Sequence, residues 1–265
     1  MGRSGAEPEQ RLTSSDDIVE RSADPFGKTF ERLPVVRSIA DVHGLIDEVT
    51  GEVEQRTSCM LCDEGCADCC EHQVVAGHVE WSHALHWIKG NLSVEEQRRI
   101  VRRAENLRDR PSSVIKTWLG LSGIDPDGDR YRETVNYVFA NTSTPCPFLV
   151  GGRCSIYEVR PSICRAYGRM MRTADEAYYC DHISERIVEW PPGMDQIELP
   201  VFQGYHHAAL TLDGTDLDEV NLLPVWVLSH RADDGSLVDQ PRRHDDSSGF
   251  PVVHGWWAYD DGGGA

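Results

Sequence analysis

Apolar residues recur at helical spacing from Ile39 through Val42, Leu45, Ile46, Val49 and Val53. This predicts an amphipathic helix capped by Ser38 and ending just before a cysteine-rich loop. Residues 73–79 read as a short strand, and a second helix is expected over about Glu80 to Lys89, stopped by Gly90-Asn91. Ser93-Val94-Glu95-Glu96 is a capping box opening a third helix, with Ile100, Val101, Ala104 and Leu107 on one face. The arginines on its opposite face are read as a solvated surface paired with Glu95, Glu96 and Glu105. Another helix is expected over Pro111 to Leu121. Asp125-Pro126-Asp127-Gly128-Asp129 reads as a turn; it lacks the later bidentate glutamate of a calcium loop. A helix over about Arg132 to Ala140 leads into Cys146-Pro147-Phe148-Leu149, which reads as a short strand. Gly151-Gly152 then makes a tight turn, and Cys154 returns on the other side. The longest apolar run, Leu222 to Leu228, is interrupted by Pro224 and is far too short to span a bilayer.

Three regions follow from these patterns. Residues 1–33 are polar with a Ser/Asp cluster and are expected to be flexible. Residues 34–190 hold the helical elements and every cysteine, and residues 191–265, after the Pro191-Pro192-Gly193 break, form an acidic C-terminal extension. Its paired Trp256-Trp257 are expected to dock on the chain's own core. At 265 residues the chain can bury a core without staples. Its 26 Lys+Arg against 44 Asp+Glu give a net charge of -18, which argues against nucleic acid and against an anionic membrane surface. The opening residues MGRSGAEPEQ contain no apolar h-region, so the expected compartment is the cytoplasm. No G-x-G-x-x-G, P-loop or G-x-S-x-G occurs, which removes support for nucleotide-phosphate and serine-hydrolase chemistry.

The cysteines carry the chemistry. There are nine, all between Cys59 and Cys180. In a reducing compartment disulfides are disfavoured, and an odd number cannot pair completely. The first group is Cys59, Cys62, Cys66, Cys69 and Cys70; the second is Cys146, Cys154, Cys164 and Cys180. Closely spaced thiolates turn back onto one ion without strain, as at zinc and iron–sulfur sites. Charged Asp63, Glu64 and Asp68 between them argue against burial as small hydrophobes. The expected metal ligands are Cys62, Cys66, Cys69, Cys70, Cys146, Cys154, Cys164 and Cys180. Because neighbouring side chains diverge, Cys69 and Cys70 are expected to face different sites, or to contribute one ligand between them. The two groups lie about 75 residues apart and are expected to meet in space. The fold class is thus mainly α with short irregular strands, a single metal-stapled domain plus the acidic extension.

Cys66-Ala-Asp-Cys69-Cys70, then Cys146-Pro-Phe-Leu, then Cys154-Ser-Ile-Tyr157-Glu-Val-Arg160-Pro161-Ser-Ile-Cys164-Arg165, resembles the YkgJ-type cysteine-cluster family over about residues 59 to 170. That resemblance implies a zinc- or iron-chelating protein, often an iron–sulfur one. The first half departs from the family spacing: three residues separate Cys62 from Cys66, and Cys59 is extra, which leaves these two as alternative ligands. The chain is more distantly similar to flagellin lysine N-methylase, which implies S-adenosylmethionine as a further cofactor. Cys62-x3-Cys66-x2-Cys69 also fits the radical S-adenosylmethionine spacing, but Asp68 stands where that signature carries an aromatic residue. No alternation of strands and helices follows, so no barrel is expected, while an open iron remains an option.

Pro161 suits the first position of a helix, which would place Cys164 near its positive end and favour the thiolate. Arg160 and Arg165 flank Cys164 as cofactor-binding candidates, read first as charge balance and second as donors to cluster sulfurs or to a ligand carboxylate. Among the histidines, His72 and His182 are reserve ligands beside cysteines. His78, His83 and His86 are read as exposed or capping residues near Trp81 and Trp87, and His206-His207 carries no spacing signal. No catalytic residue is assigned. Three classes stand: a metal or iron–sulfur protein with a redox step and a redox partner, an S-adenosylmethionine-dependent protein lysine methyltransferase, and a structural zinc domain presenting a surface to a protein partner.

Overall fold

A computed structural model describes residues 37–57, 67–121, 124–125, 128–140, 144–170, 202, 205, 209, 212 and 220–239. Helix α1 (Ile39–Thr57) starts where Ser38 and Asp41 bond reciprocally. Ser38 N–H donates to Asp41 Oδ2 (2.9 Å), and Asp41 N–H donates to Ser38 Oγ (3.3 Å). Amide donation, foremost from Arg37, holds the Asp41 carboxyl below its ordinary range. Ile39, Val42, Leu45, Ile46 and Val49 are all buried, as their spacing predicts, while the Val53 side chain lies outside the described residues.

A single 3-10 turn (Asp68–Glu71) leads to β1 (Val75–Gly77) and directly into α2 (His78–Asn91). This helix starts two residues before the expected Glu80 and runs through Gly90-Asn91, with Leu92 as its C-cap. Helix α3 (Val94–Asp109) opens on the expected capping box, Ser93 N–H donating to Glu96 Oε2 (2.8 Å) and Glu96 N–H to Ser93 Oγ (3.3 Å). Its arginine face is not simply solvated. Arg98 bonds Asp234 O and Oδ2 (both 2.9 Å), and Arg103 Nη1 reaches the Pro147 carbonyl (2.9 Å). One face of α3 therefore buries apolar residues while the other ties down two distant segments.

Helix α4 (Val114–Leu119) is shorter than expected, and α5 (Asp129–Ala140) begins three residues early, on a turn closed by Gly128 N–H to Asp125 O (3.1 Å). The hairpin of β2 (Leu149–Val150) and β3 (Arg153–Cys154) pairs Leu149 with Cys154. Both turn residues have positive φ, 58° at Gly151 and 79° at Gly152, a conformation glycine adopts without a Cβ penalty. After a 3-10 turn at Tyr157–Val159 comes α6 (Ser162–Ala166), a little over one turn long.

Strand β4 (Val220–Leu222) then pairs antiparallel with β1 in the register Val75–Leu222, Ala76–Asn221, Gly77–Val220. Helix α7 (Leu223–Ser229) follows, with Pro224 in its first turn, where a missing N–H is harmless. Every residue of α7 is buried, the state expected of a helix apolar all round. It packs on α3, while α1 packs on α6 and α2. Three buried tryptophans each find an acceptor for the indole N–H: Trp81 on His230 Nδ1 (3.1 Å), Trp118 on Asn221 Oδ1 (2.8 Å) and Trp226 on the Ala76 carbonyl (2.8 Å). Burial lowers the His230 pKa, against a hydrogen bond to the Trp226 carbonyl that raises it. Trp81 and Trp226 stack nearly parallel at 6.3 Å. The described part of the chain is thus mainly helical with two short antiparallel pairs. No helix among the described residues is long and apolar enough to cross a membrane.

Candidate metal centre

Five of the expected ligands lie among the described residues, and the fold brings both sequence groups to one place. Cys69 and Cys70 sit on the 3-10 turn after α1, Cys146 before β2, Cys154 at the end of β3 and Cys164 within α6. The Cys146 N–H donates to the Cys70 carbonyl at 2.6 Å, joining the groups backbone to backbone. Gln73 Nε2 donates to the Thr144 carbonyl (3.2 Å), a second tie between the same segments. None of the five is in a disulfide. Cys164 lies within electrostatic reach of the Cys69, Cys146 and Cys154 sulfurs, and Cys70 within reach of Cys146 and Cys164.

The adjacent pair does not diverge as expected. The Cys70 thiol hydrogen-bonds the Cys69 side chain, so the two sulfurs lie close together. Cys62, Cys66 and Cys180 lie outside the described residues, as do Cys59 and His182. Among the described residues no three His, Cys, Asp or Glu side chains stand ready around a single ion.

Two sulfurs accept backbone hydrogen bonds from two residues ahead: Cys146 from the Phe148 N–H and Cys154 from the Ile156 N–H. Such donors favour the thiolate. Burial acts the other way and prevails. It pushes Cys146 up to about 12, Cys154 above its ordinary value and Cys164 well above it. For Cys70 the bond to Cys69 comes first and burial second. The expected lowering at Cys164 by a helix N-terminus is therefore not found. Pro161 is the cap rather than the first helical residue, and α6 is too short for a macrodipole to outweigh desolvation. Without a cation these thiols hold their protons. A soft, desolvated sulfur set, with no disulfide among its described members and N–H donors on two of them, fits zinc or an iron–sulfur cluster, whose charge would draw those protons off.

A pH dependence follows for the metal-free protein. The folded thiols ionise above the ordinary 9.0, so the unfolded chain binds fewer protons once pH passes that value. Stability should be fully present below pH 9 and fall as pH rises toward 12, by up to about 1.4 kcal/mol per pH unit for each thiol. Urea unfolding of the chelated protein at successive pH values would read this, and a flat profile from pH 8.5 to 10.5 would contradict it.

The two arginines separate. Arg165 is spent on structure: its Nε donates to the Arg160 carbonyl (3.1 Å), Nη1 pairs with Asp47, and Nη2 reaches the Glu158 carbonyl. Arg160 is buried, its guanidinium lies 3.7 Å over the exposed Tyr157 ring, and its charge lowers both Cys154 and Cys164. The reserve ligand His72 packs tilted against Tyr167, with ring centroids 5.7 Å apart.

One buried group escaped the sequence reading. Glu80, 1% exposed, accepts the Gly77 N–H (3.3 Å) and the Ser162 N–H (2.6 Å), and the buried His43 Nε2 lies 3.7 Å from Oε1. It joins the start of α2 to the turn carrying Cys164. His43 meets His83 edge-on at 5.8 Å, and burial, then the His43 and Arg165 charges, lower His83. The available signal was an acid at the third helical position after Gly77, the pattern of a capping box.

Residues 61–182 match the family model described as "CxxCxxCC: Putative zinc- or iron-chelating domain". No curated protein matches the chain. No solved structure matches it either.

Proposed function

We propose, from a family model for zinc or iron chelation that spans both cysteine groups, that this chain holds a thiolate-ligated centre closed by those groups together. Its ligands are drawn from Cys62, Cys66, Cys69 and Cys70 on one side and Cys146, Cys154, Cys164 and Cys180 on the other. The observation that carries this reading is the Cys146 N–H to Cys70 C=O bond, which puts a thiol-bearing loop from each group side by side. Sulfur-only ligation suits zinc and iron–sulfur clusters alike. Clipping together segments about 75 residues apart makes binding free energy into folding free energy. The S-adenosylmethionine-dependent methyltransferase reading has no curated relative behind it.

Metal analysis of anaerobically purified protein tests this. Stoichiometric zinc in a colourless sample, or iron with acid-labile sulfide in a brown one, is the expected result. Protein free of both metals, with all nine cysteines reactive toward a thiol reagent, would defeat the proposal.

A further inference from the structure

Arg160 is 8% exposed, yet its Nε and Nη1 are fully buried without a hydrogen-bond partner, and no carboxylate among the described residues pairs with it. Arg165, five residues on, is bonded through all three nitrogens. A buried guanidinium left unpaired costs several kcal/mol, so its persistence calls for an anion that completes it. The orphaned nitrogens are shut off from water, while the one exposed partner, Tyr157, covers a ring face rather than an N–H edge. A diffusing carboxylate or phosphate is thereby disfavoured. The negative charge must arise inside, and the sulfurs that feel the Arg160 charge are Cys154 and Cys164. The hydroxyls of Ser155 and Ser162, one and two residues from those cysteines, are likewise buried without partners.

We infer that Arg160 is a positioning residue of the loaded centre, its Nε–H and Nη1–H donating to ligand sulfur and offsetting the negative charge of thiolate ligation. This rests on the thiolate centre proposed above. It requires that the residue destabilise the metal-free protein and stabilise the loaded one, an opposition that a merely structural arginine would not show.

The test titrates metal-free protein anaerobically with Co(II) alone, comparing wild type with Arg160→Gln and Arg160→Lys. Arg160→Gln should unfold at an equal or higher temperature than wild type when metal-free. It should bind Co(II) at least about tenfold more weakly. Its sulfur-to-cobalt charge-transfer band should move to longer wavelength, since a sulfur relieved of hydrogen bonds gives up charge more easily. Arg160→Lys, which keeps the charge, should recover part of the affinity and of the band position. Equal affinity and an unmoved band in Arg160→Gln would overturn the inference, as would a metal-free variant destabilised as much as the loaded one. Absence of a sulfur-to-cobalt band in wild type would instead overturn the thiolate centre itself, and the role of Arg160 with it.

Discussion

Cys146→Ser and Cys164→Ser should each abolish stoichiometric metal retention and lower the thermal midpoint of the purified protein by about 10 °C or more. The magnitude comes from the coupling of binding to folding. Structural thiolate sites contribute on the order of 10 kcal/mol in small metal-dependent folds, and a hydroxyl is a poor replacement for a thiolate on a soft ion. A loss of only a few kcal/mol already shifts the midpoint of a chain this size by roughly 10 °C. Both positions sit where the loss propagates. Cys146 is bonded through its own backbone to the Cys70 loop, and Cys164 lies two residues from the Ser162 amide held by Glu80. Chelated wild type supplies the control. Against it the serine variants should differ little, because the thiols they remove are neutral and partly buried there. Full metal content and unchanged midpoints in both variants would remove these residues from the ligand set.

What the chain disclosed in advance was local. The Ser93–Glu96 box, the Ser38 cap, the apolar stripes of α1 and α3 and the Gly151-Gly152 turn depend on residues within a few positions of one another, and the structure has each. What stayed hidden depends on distance along the chain. The run Leu222 to Leu228 reads only as apolar. Nothing nearby says that β4 completes β1, or that Trp226 bonds Ala76 across about 150 residues. The solvated reading of the α3 arginines held for Arg102, which is exposed and paired with Glu95, but not for Arg98 and Arg103, which are bound to Asp234 and Pro147, far away in sequence. At the centre, the cysteine spacing named the donors but not their mutual orientation. The rule that adjacent side chains diverge did not keep the sulfurs of Cys69 and Cys70 apart, since the two side chains hydrogen-bond each other. Nor could spacing rank Arg160 against Arg165, since both flank Cys164 and only packing decides which one is paired.

Glu80→Ala should destabilise the protein by about 3–5 kcal/mol, with or without metal, the range for removing one partner from a buried charged network. The carboxylate is the common acceptor for the amides of Gly77 and Ser162, and alanine would orphan both in a dry interior while leaving His43 without its neighbouring charge. Because Ser162 opens the helix that carries Cys164, the variant should also release metal more readily. Glu80→Gln keeps an acceptor oxygen but places an amide NH2 where a second N–H must be received, so a smaller loss of about 1–2 kcal/mol is expected. Urea unfolding of metal-free and loaded samples measures both, and a loss below about 1 kcal/mol for Glu80→Ala would show that this carboxylate does not fasten the two elements. The contrast with Arg160 is a matter of sign. Glu80 has its partners in place before any ion arrives, so its removal weakens both forms. Arg160 has no hydrogen-bond partner at Nε or Nη1, so its removal should weaken only the loaded form.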